Sequence, residues 1–146
     1  MPYTGSQAQA GRGTTVGIGA TPTLIGEISD FPLNRPDWDF VDTTNFESGS
    51  DAEMLSTIRK APTIEMKGNR VAGDAGQVAV ETAYQAGTIS SFTVTLPKTS
   101  TQTTSGDKYV FNAYVKNCNF SIQTTKQIEF SISLQVSGPC TFTAGS

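Results

Sequence analysis

The sequence predicts a mainly β fold, a β-sandwich or barrel of antiparallel strands flanked by one α-helix. Three observations predict it. The chain has 146 residues, the length of a single domain. Residues 127–137 alternate apolar and polar side chains without a break, as a strand with one buried face does. Residues 74–87 carry a complete helical pattern with a capping residue at each end.

Composition excludes several kinds of functional site. The chain has no histidine, which excludes Ser-His-Asp and Cys-His catalysis and histidine-bound metals. Its two cysteines, Cys118 and Cys140, form no Cys-x-x-Cys motif, so we interpret them as small, partly buried apolar residues. The net charge of −3 disfavours a basic surface for gripping DNA. We expect no cofactor, no metal and no enzymatic activity.

The domain organisation follows from where the chain can be buried. The 14 serines and 21 threonines, beside only 16% charged residues, indicate a β protein with a neutral, hydroxyl-covered surface. We expect a flexible N-terminal arm over residues 1–13, a β domain over 14–139 and a C-terminal tail over 140–146. The N-terminus lacks the features of a secretory signal and no apolar run reaches ~18 residues, so we expect cytoplasmic synthesis and no membrane span.

The first half of the chain predicts strands interrupted by prolines. Residues 14–28 are strand-like with a break at Pro22, residues 31–36 hold two prolines and predict a turn, and residues 37–46 resume as a strand. Residues 63–71 predict a further strand.

A long loop is expected between the last two of these strands, over residues 47–62. Met54, Leu55 and Ile58 lie at helical spacing within it, which permits a single helical turn. Loops of this length in a compact domain usually bind something or move.

The helix is predicted over residues 74–86. Asp74 is a suitable N-cap, and Gln77 at the third helical position completes a capping-box pattern. Val80 and the neighbouring alanines form an apolar face. Gly87 supplies the left-handed residue that ends a helix.

The last third of the chain predicts strands. Residues 91–96 alternate cleanly, residues 98–108 form a Ser/Thr-rich loop, and residues 109–120 carry a second apolar face. The alternating segment 127–137 follows.

Three short motifs resemble functional sites, and each has a simpler interpretation. Gly17-Ile18-Gly19 lacks the third glycine of a dinucleotide loop and is interpreted as glycines in a strand or bend. Asp37, Asp39 and Asp42 lack the central glycine and final glutamate of a calcium loop and are interpreted as solvated. Arg59-Lys60 follows no phosphate-binding loop and is interpreted as a solvated basic pair.

Charge divides the chain unevenly. Residues 27–53 hold eight acidic residues and one basic residue, a net charge of −7, and the rest of the chain carries +4. Copies divided this way can stack head to tail, although a solvated acidic face without a partner explains the charge equally well. The polar row Ser131, Ser133 and Gln135 carries no long charged side chain to repel other chains. With the long loop, this favours a self-assembling β protein.

The order and spacing of several segments resemble the major tail tube protein of long-tailed, non-contractile phages. The resemblance runs from about residue 13 to residue 139. The segments that carry it are GTTVGIG at 13–19, TLIGEIS at 23–29, DTT at 42–44 with the loop to Arg59, DAGQ at 74–77, Gly87, FTVTLP at 92–97 and residues 128–139, which end in VSGP.

The resemblance implies a structural virion protein. In that family six copies form a ring, rings stack into a hollow tail tube, and the double-stranded genome passes through the lumen during ejection; tube proteins of type VI secretion systems look similar in architecture. The implied partners are further copies of the chain and the tape-measure, tail-tip and tail-terminator proteins, with transient, non-specific contact to DNA. The implied location is the phage tail, assembled in the host cytoplasm.

Two sets of residues are candidates for these roles. We expect the 47–62 loop to dock on a neighbouring subunit or ring, and we expect the polar faces of the strands at 91–96 and 127–137 to include lumen-lining positions. The inter-subunit candidates are Met54, Leu55, Ile58 and Arg59. The lumen-lining candidates are Thr93, Thr95, Glu129, Ser131, Ser133 and Gln135.

The alternative is a monomeric β-sandwich binding module, such as an adhesin or a carbohydrate-binding domain. Such a module needs an exposed aromatic platform. Trp38 is the only tryptophan and lies in an alternating strand, which predicts a core position. An enzyme is the third and weakest alternative.

Overall fold

The computed structural model describes residues 11–99 and 101–146, which form nine strands and one helix. Seven strands make one antiparallel sheet, in the order β2-β1-β7-β8-β9-β6-β3, that curls around a single core. The remaining two, β4 and β5, form a separate hairpin. The predicted mainly β fold with one helix is confirmed. The elements are β1 (Thr15–Ile18), β2 (Thr23–Leu24), β3 (Ile28–Asp30), β4 (Asp37–Asp42), β5 (Met54–Lys60), β6 (Thr63–Asn69), α1 (Ala75–Ala86), β7 (Ile89–Thr95), β8 (Lys108–Ser121) and β9 (Glu129–Thr143).

The core lies between one face of the curled sheet and one side of α1. Alternate residues of β9, among them Phe130 and Ile132, are buried there, as the alternation predicts. Phe92 on β7 pairs directly with Phe111 on β8, and their rings stack with centres 5.6 Å apart. Val80 from α1 is fully buried against this layer. Because strand side chains alternate, the opposite face of the same strands carries their polar residues.

The helix begins and ends where the sequence predicts. The Asp74 carboxylate accepts hydrogen bonds from the N–H of Gln77 at 3.0 Å and of Gly26 at 3.1 Å, and Gly87 closes the helix in the left-handed conformation. The reciprocal half of the predicted capping box is wrong. The Gln77 side chain instead accepts from the N–H of Val71 at 3.0 Å and donates to the carbonyl of Gly26 at 3.0 Å. It therefore joins α1 to two neighbouring segments.

The predicted long loop over residues 47–62 is wrong over most of its second half. Residues 54–60 are β5, which pairs antiparallel with β4 through Val41↔Leu55 and Asp42↔Met54. The helical turn is therefore wrong as well. An isolated helical turn satisfies few backbone groups, whereas pairing with β4 satisfies many. The connection between the two strands shrinks to residues 43–53.

The predicted C-terminal tail at residues 140–146 is wrong over 140–143. There β9 continues and pairs with the start of β8, and the rings of Tyr109 and Phe142 pack with centres 5.2 Å apart. Gly138, with a φ of 86°, lets β9 change direction before this last stretch. The predicted N-terminal arm lies outside the described residues except for 11–13.

Candidate assembly surfaces

The hairpin of β4 and β5 carries large apolar side chains that the rest of the described chain does not cover. Trp38 is 52% exposed, so its predicted core position is wrong: its side chain meets no covering layer among the described residues. Ile58 is 67% exposed. Six apolar residues of the two strands are at least half exposed, and they are Trp38, Phe40, Val41, Met54, Leu55 and Ile58.

Both faces of the hairpin are apolar. Trp38, Phe40 and Met54 lie on one face, and Val41 and Leu55 lie on the other, as the register of the two strands requires. The sequence-based candidates Met54 and Leu55 therefore point in opposite directions, which a helical turn would not do. An isolated two-stranded ribbon is only marginally stable in water, and exposed apolar surface on both of its faces is typical of a segment that binds another protein surface.

A cleft of about 610 Å³ opens where the hairpin joins the body of the domain. Two arginines line it, and each stacks on an aromatic ring: Arg59 lies 5.3 Å from the centre of Trp38, and Arg35 lies 5.4 Å from the centre of Tyr109. We call it the arginine cleft. Its lining residues are Leu33, Asn34, Arg35, Pro36, Asp37, Trp38, Arg59, Pro62 and Cys140.

The second basic residue of the Arg59-Lys60 motif behaves differently from the first. Lys60 forms an ion pair with Asp39 at 3.2 Å, the only ion pair within residues 11–99 and 101–146. The two residues of the motif therefore have different environments: Lys60 is paired within the hairpin, whereas the Arg59 guanidinium faces the cleft and has no carboxylate partner among the residues that the structure describes.

The opposite end of the hairpin is acidic. We call residues 42–53 the hairpin tip; it holds Asp42, Glu47, Asp51 and Glu53 and no basic residue. Phe46 lies within the tip and is 109% exposed, as much as in an extended chain. Hydrogen bonds from the side chain and backbone of Thr44 lower the pKa of Asp42, which keeps its carboxylate charged.

The six lumen-lining candidates lie on one face of the sheet, opposite the core. Thr93 and Thr95 lie near the end where β8 begins, and Glu129 and Ser131 lie near the end where β8 finishes, so together they span the length of β8. Ser133 is only 6% exposed and offers almost no surface, which removes it from the candidates. It is a short side chain between two longer ones, Glu65 on β6 and Asn117 on β8.

Sequence reasoning missed the neighbours that complete this polar face. Asn112 and Asn119 on β8 pair with Ser137 and Ser131 on β9. On the other side, β6 adds Glu65 and Lys67, opposite Ser133 and Ser131. Alternation within each strand indicated the exposed side of that strand; only the register shows which strands contribute to one surface. The face carries few charges, of both signs.

A second groove, of about 270 Å³, lies between α1 and the facing ends of β8 and β9. Val78 and Phe120 are exposed along it, and Arg70 lies 5.6 Å from the centre of the Phe120 ring. Cys118 also lines it, and burial raises the pKa of its thiol to about 11, with the nearby Glu81 carboxylate adding to the effect. We call it the helix groove.

The two cysteines and the Gly17-Ile18-Gly19 motif lie where the sequence predicts. Both cysteines are free and partly buried, as predicted, and burial raises the pKa of Cys140 while Arg35 opposes the rise. Gly17 and Gly19 lie in and just after β1, which confirms their interpretation as strand and bend glycines. Across the part of the chain that the structure describes, no three metal-ligating side chains come together, and no helix is long and apolar enough to cross a membrane.

A sequence model of the family described as phage tail tube protein matches residues 37–142. No curated protein matches the sequence significantly. Among solved structures, the fold is similar to a chain from the tail of an empty gene transfer agent particle, with a TM-score of 0.74 and 17% identity over 94% of this chain and 100% of that one.

Two further solved structures have a similar fold. A chain of the SPP1 tail tube matches with a TM-score of 0.71 and 20% identity over 95% of this chain and 80% of that one. A chain of the anti-feeding prophage cap, which terminates a tube, matches with a TM-score of 0.74 and 12% identity over 99% of this chain and 97% of that one.

Proposed function

The chain belongs to the phage tail tube protein family, and from this premise we propose that its copies assemble into six-membered rings that stack into a tail tube, through which double-stranded DNA leaves the particle. The protein is a structural component of the tail tube. Beyond this role, we propose the number of copies in a ring, the contact that stacks the rings, the surface that faces the lumen and the partner proteins.

The exposed apolar hairpin carries the proposal of self-assembly. Six apolar side chains at least half exposed on one ribbon of two strands cost free energy in water, at about 25 cal/mol per Å² of apolar surface. A neighbouring copy that covers the ribbon removes this cost. The inter-subunit candidates Met54, Leu55, Ile58 and Arg59 all belong to this hairpin.

The ring number rests on the similar gene transfer agent tail, which was computed with C6 symmetry. A chain that shares its fold over nearly its whole length fits the same six-fold arrangement. The anti-feeding prophage cap, which ends a tube, shares the fold too. We therefore expect a tube of this chain to end on a terminator of similar fold and to start on a tail-tip protein, with a tape-measure protein inside during assembly.

The polar face of β6 to β9 is the proposed lining of the lumen. Thr93, Thr95, Glu129, Ser131 and Gln135 are its members from the sequence-based set. DNA is a dense row of phosphates, and each lysine or arginine contact would add salt-dependent binding that retards passage. A face of hydroxyl and amide groups with few, mixed charges avoids that attraction. The contact with DNA is then transient and non-specific.

A structural role in the virion tail needs no chemistry from the chain, so we propose that the protein is not an enzyme. It accumulates in the host cytoplasm, and there it joins the growing tail.

The exposed Trp38 is the one observation that favours the alternative of a monomeric binding module. A carbohydrate-binding platform needs an open ring face. The Arg59 guanidinium stacks on the Trp38 ring and reduces its open surface, which favours the assembly role.

Electron microscopy of the purified protein at increasing concentration tests the proposal. We expect rings and tubes from the natural sequence and small separate particles from the triple variant Phe40→Thr, Leu55→Thr, Ile58→Thr, whose circular dichroism should match the natural protein. Threonine keeps the β propensity of the strands and removes apolar surface. Small particles from the natural sequence at every concentration would contradict self-assembly and favour the binding module.

A further inference from the structure

The two ends of the hairpin are complementary to each other. The tip holds four acidic residues, no basic residue and the fully exposed Phe46. The cleft at the root holds Arg35 and Arg59 with one acidic residue, Asp37. One end therefore presents an aromatic ring among carboxylates, and the other presents guanidinium groups beside the side chains of Leu33, Pro36 and Trp38.

We propose that the hairpin tip of one copy docks in the arginine cleft of a second copy. The inference deepens the proposed function, on which it rests, by naming the contact that joins neighbouring copies. In it, the Phe46 ring lies against Leu33, Pro36 and Trp38, and the tip carboxylates accept hydrogen bonds from the two arginines.

Neighbouring aromatic rings hold both arginine side chains in position for this contact. Each guanidinium is held over an aromatic ring, at 5.3 Å for Arg59 on Trp38 and 5.4 Å for Arg35 on Tyr109. A guanidinium that stacks on a ring keeps the N–H donors along its edge free. Those donors can form two parallel hydrogen bonds to one carboxylate. Stacking also limits the side-chain freedom that binding would otherwise remove.

The occupant must be a second copy. Tip and cleft lie at opposite ends of the same ribbon: β4 carries the cleft residues Asp37 and Trp38 at one end and the tip residue Asp42 at the other, and its six residues extend about 20 Å at ~3.4 Å per residue. A tip cannot reach the cleft of its own chain while β4 and β5 remain paired. A contact between two different surfaces of identical copies is head-to-tail, and repeated addition generates rings or open stacks.

The helix groove, a recess on a different part of the domain, fits the tip less well than the arginine cleft. Its volume is about 270 Å³ against about 610 Å³ for the arginine cleft. Its charged lining residues are Arg70 and Glu81, which cancel, whereas the arginine cleft has a net positive lining. The acidic tip is therefore attracted electrostatically to the arginine cleft and not to the helix groove.

The two native cysteines provide a direct test, because one lines the arginine cleft and the other lines the helix groove. Cys140 lies in the arginine cleft, and Cys118 lies in the helix groove. Ser50 is an exposed tip residue, and Ser50→Cys changes one atom without touching Phe46 or a carboxylate. In the Cys118→Ser background this variant has thiols only at the tip and in the arginine cleft. In the Cys140→Ser background it has them only at the tip and in the helix groove.

The experiment treats assembled tubes of each variant with a short-spacer bis-maleimide at mildly alkaline pH. Denaturing gels and mass spectrometry then identify the joined peptides. The reaction is continued until a monofunctional maleimide labels Cys118 fully in a parallel sample, because the raised pKa of that thiol slows its reaction. We expect a ladder of covalent multimers joined through positions 50 and 140 in the first background, and none joined through 50 and 118 in the second. Variants with a single cysteine at 50 or at 140 serve as controls for symmetric links.

The other outcomes overturn the docking contact. Links through positions 50 and 118 would place the tip in the helix groove, and tubes without either link would place it elsewhere. Ala52→Cys, a second exposed tip position, repeats the test if Ser50→Cys fails to assemble. If the natural sequence forms neither rings nor tubes, the proposed function fails and the contact fails with it. Tubes that form without the 50–140 link leave the function standing and remove the contact alone.

Discussion

Arg59 and Trp38 face each other across the hairpin ladder, as directly paired residues whose guanidinium carbon and indole centre are 5.3 Å apart. The pair lies at the root of the ribbon, on the wall of the arginine cleft. An arginine stacked this way contributes only about 0.5–1 kcal/mol at an exposed site, so its main value lies in what it presents to a partner.

Reversing this charge should prevent assembly without unfolding the protein. Arg59→Glu places a carboxylate where the acidic tip of the next copy docks, so we expect tubes to be lost while the free energy of unfolding falls by less than about 1 kcal/mol. Sedimentation measures the first quantity and urea denaturation the second. Lys98→Glu, an exposed change far along the chain from the cleft, is the control. Adding Glu47→Lys and Asp51→Lys to Arg59→Glu should restore part of the assembly; full assembly by Arg59→Glu alone would contradict the role of the cleft.

Two phenylalanines make a matched pair for separating folding from assembly. Phe92 is fully buried and stacks on Phe111, so Phe92→Ala should lower the free energy of unfolding by about 3–5 kcal/mol. Phe46 is fully exposed at the tip, so Phe46→Ala should leave the free energy of unfolding unchanged and weaken tube formation. Urea denaturation and sedimentation on both variants check this. Equal loss of stability in the two variants would show that Phe46 packs within its own subunit.

The Asp74 side chain should contribute more to the free energy of unfolding than an N-cap that makes a single hydrogen bond. The Asp74 carboxylate accepts from the N–H groups of both Gln77 and Gly26, so Asp74→Ala removes one cap and one tertiary hydrogen bond. We expect a loss of about 1–2 kcal/mol in the free energy of unfolding, measured by urea denaturation, and a smaller loss for Asp74→Asn, which keeps an acceptor. Asp51→Ala, an exposed acid in the tip, is the control for charge. A loss below about 0.5 kcal/mol would mean that water replaces both bonds.

Local signals explain why the helix could be predicted and the hairpin could not. Asp74 and Gly87 indicate the two ends of α1 from the sequence alone. The alternation of apolar and polar residues likewise predicts the strand β9. The strand β5 depends on pairing with β4 across an eleven-residue connection, and its apolar residues Met54, Leu55 and Ile58 happen to match helical spacing. Nothing local to residues 54–60 distinguishes the two.

Of the candidate sites, one could be predicted from local sequence patterns and the other could not. The polar face was predictable because alternation assigns each residue of a strand to a side, and only crowding by longer neighbours removed Ser133. The arginine cleft was not, since Arg35, Arg59 and Cys140 come from three distant segments that only the fold brings together. Trp38 was assigned to the core because an apolar face normally has a partner in its own chain; here the described residues leave it half exposed, and the partner we propose is another copy.

The thiol of Cys118 should react slowly with alkylating reagents. Its pKa of about 11 lies well above the ordinary value, because burial and the Glu81 carboxylate disfavour the thiolate, so little thiolate exists near neutral pH and the fraction rises as pH increases toward 11. Labelling of the Cys140→Ser variant at several pH values, compared with the free amino acid, measures this. Replacing Glu81 with Gln should lower the pKa and speed labelling. A rate equal to that of free cysteine at pH 8 would contradict the burial of this thiol.

Placing positive charge on the polar face should convert a passive lining into a DNA-binding one. Glu129 is exposed at one end of that face, so Glu129→Lys adds one cation per subunit, repeated around every ring. If the face lines the lumen, tubes of this variant should hold DNA that increasing salt releases, because each new phosphate contact adds to the salt dependence. Glu129→Gln, which removes the acid without adding a cation, should retain far less. Gln85→Lys places the same charge on the exposed side of α1, away from the proposed lumen, and should not capture threaded DNA. Equal retention by the tubes of Glu129→Lys and Gln85→Lys would show that the polar face does not line the lumen, and the lining would then have to be sought on another surface of the sheet.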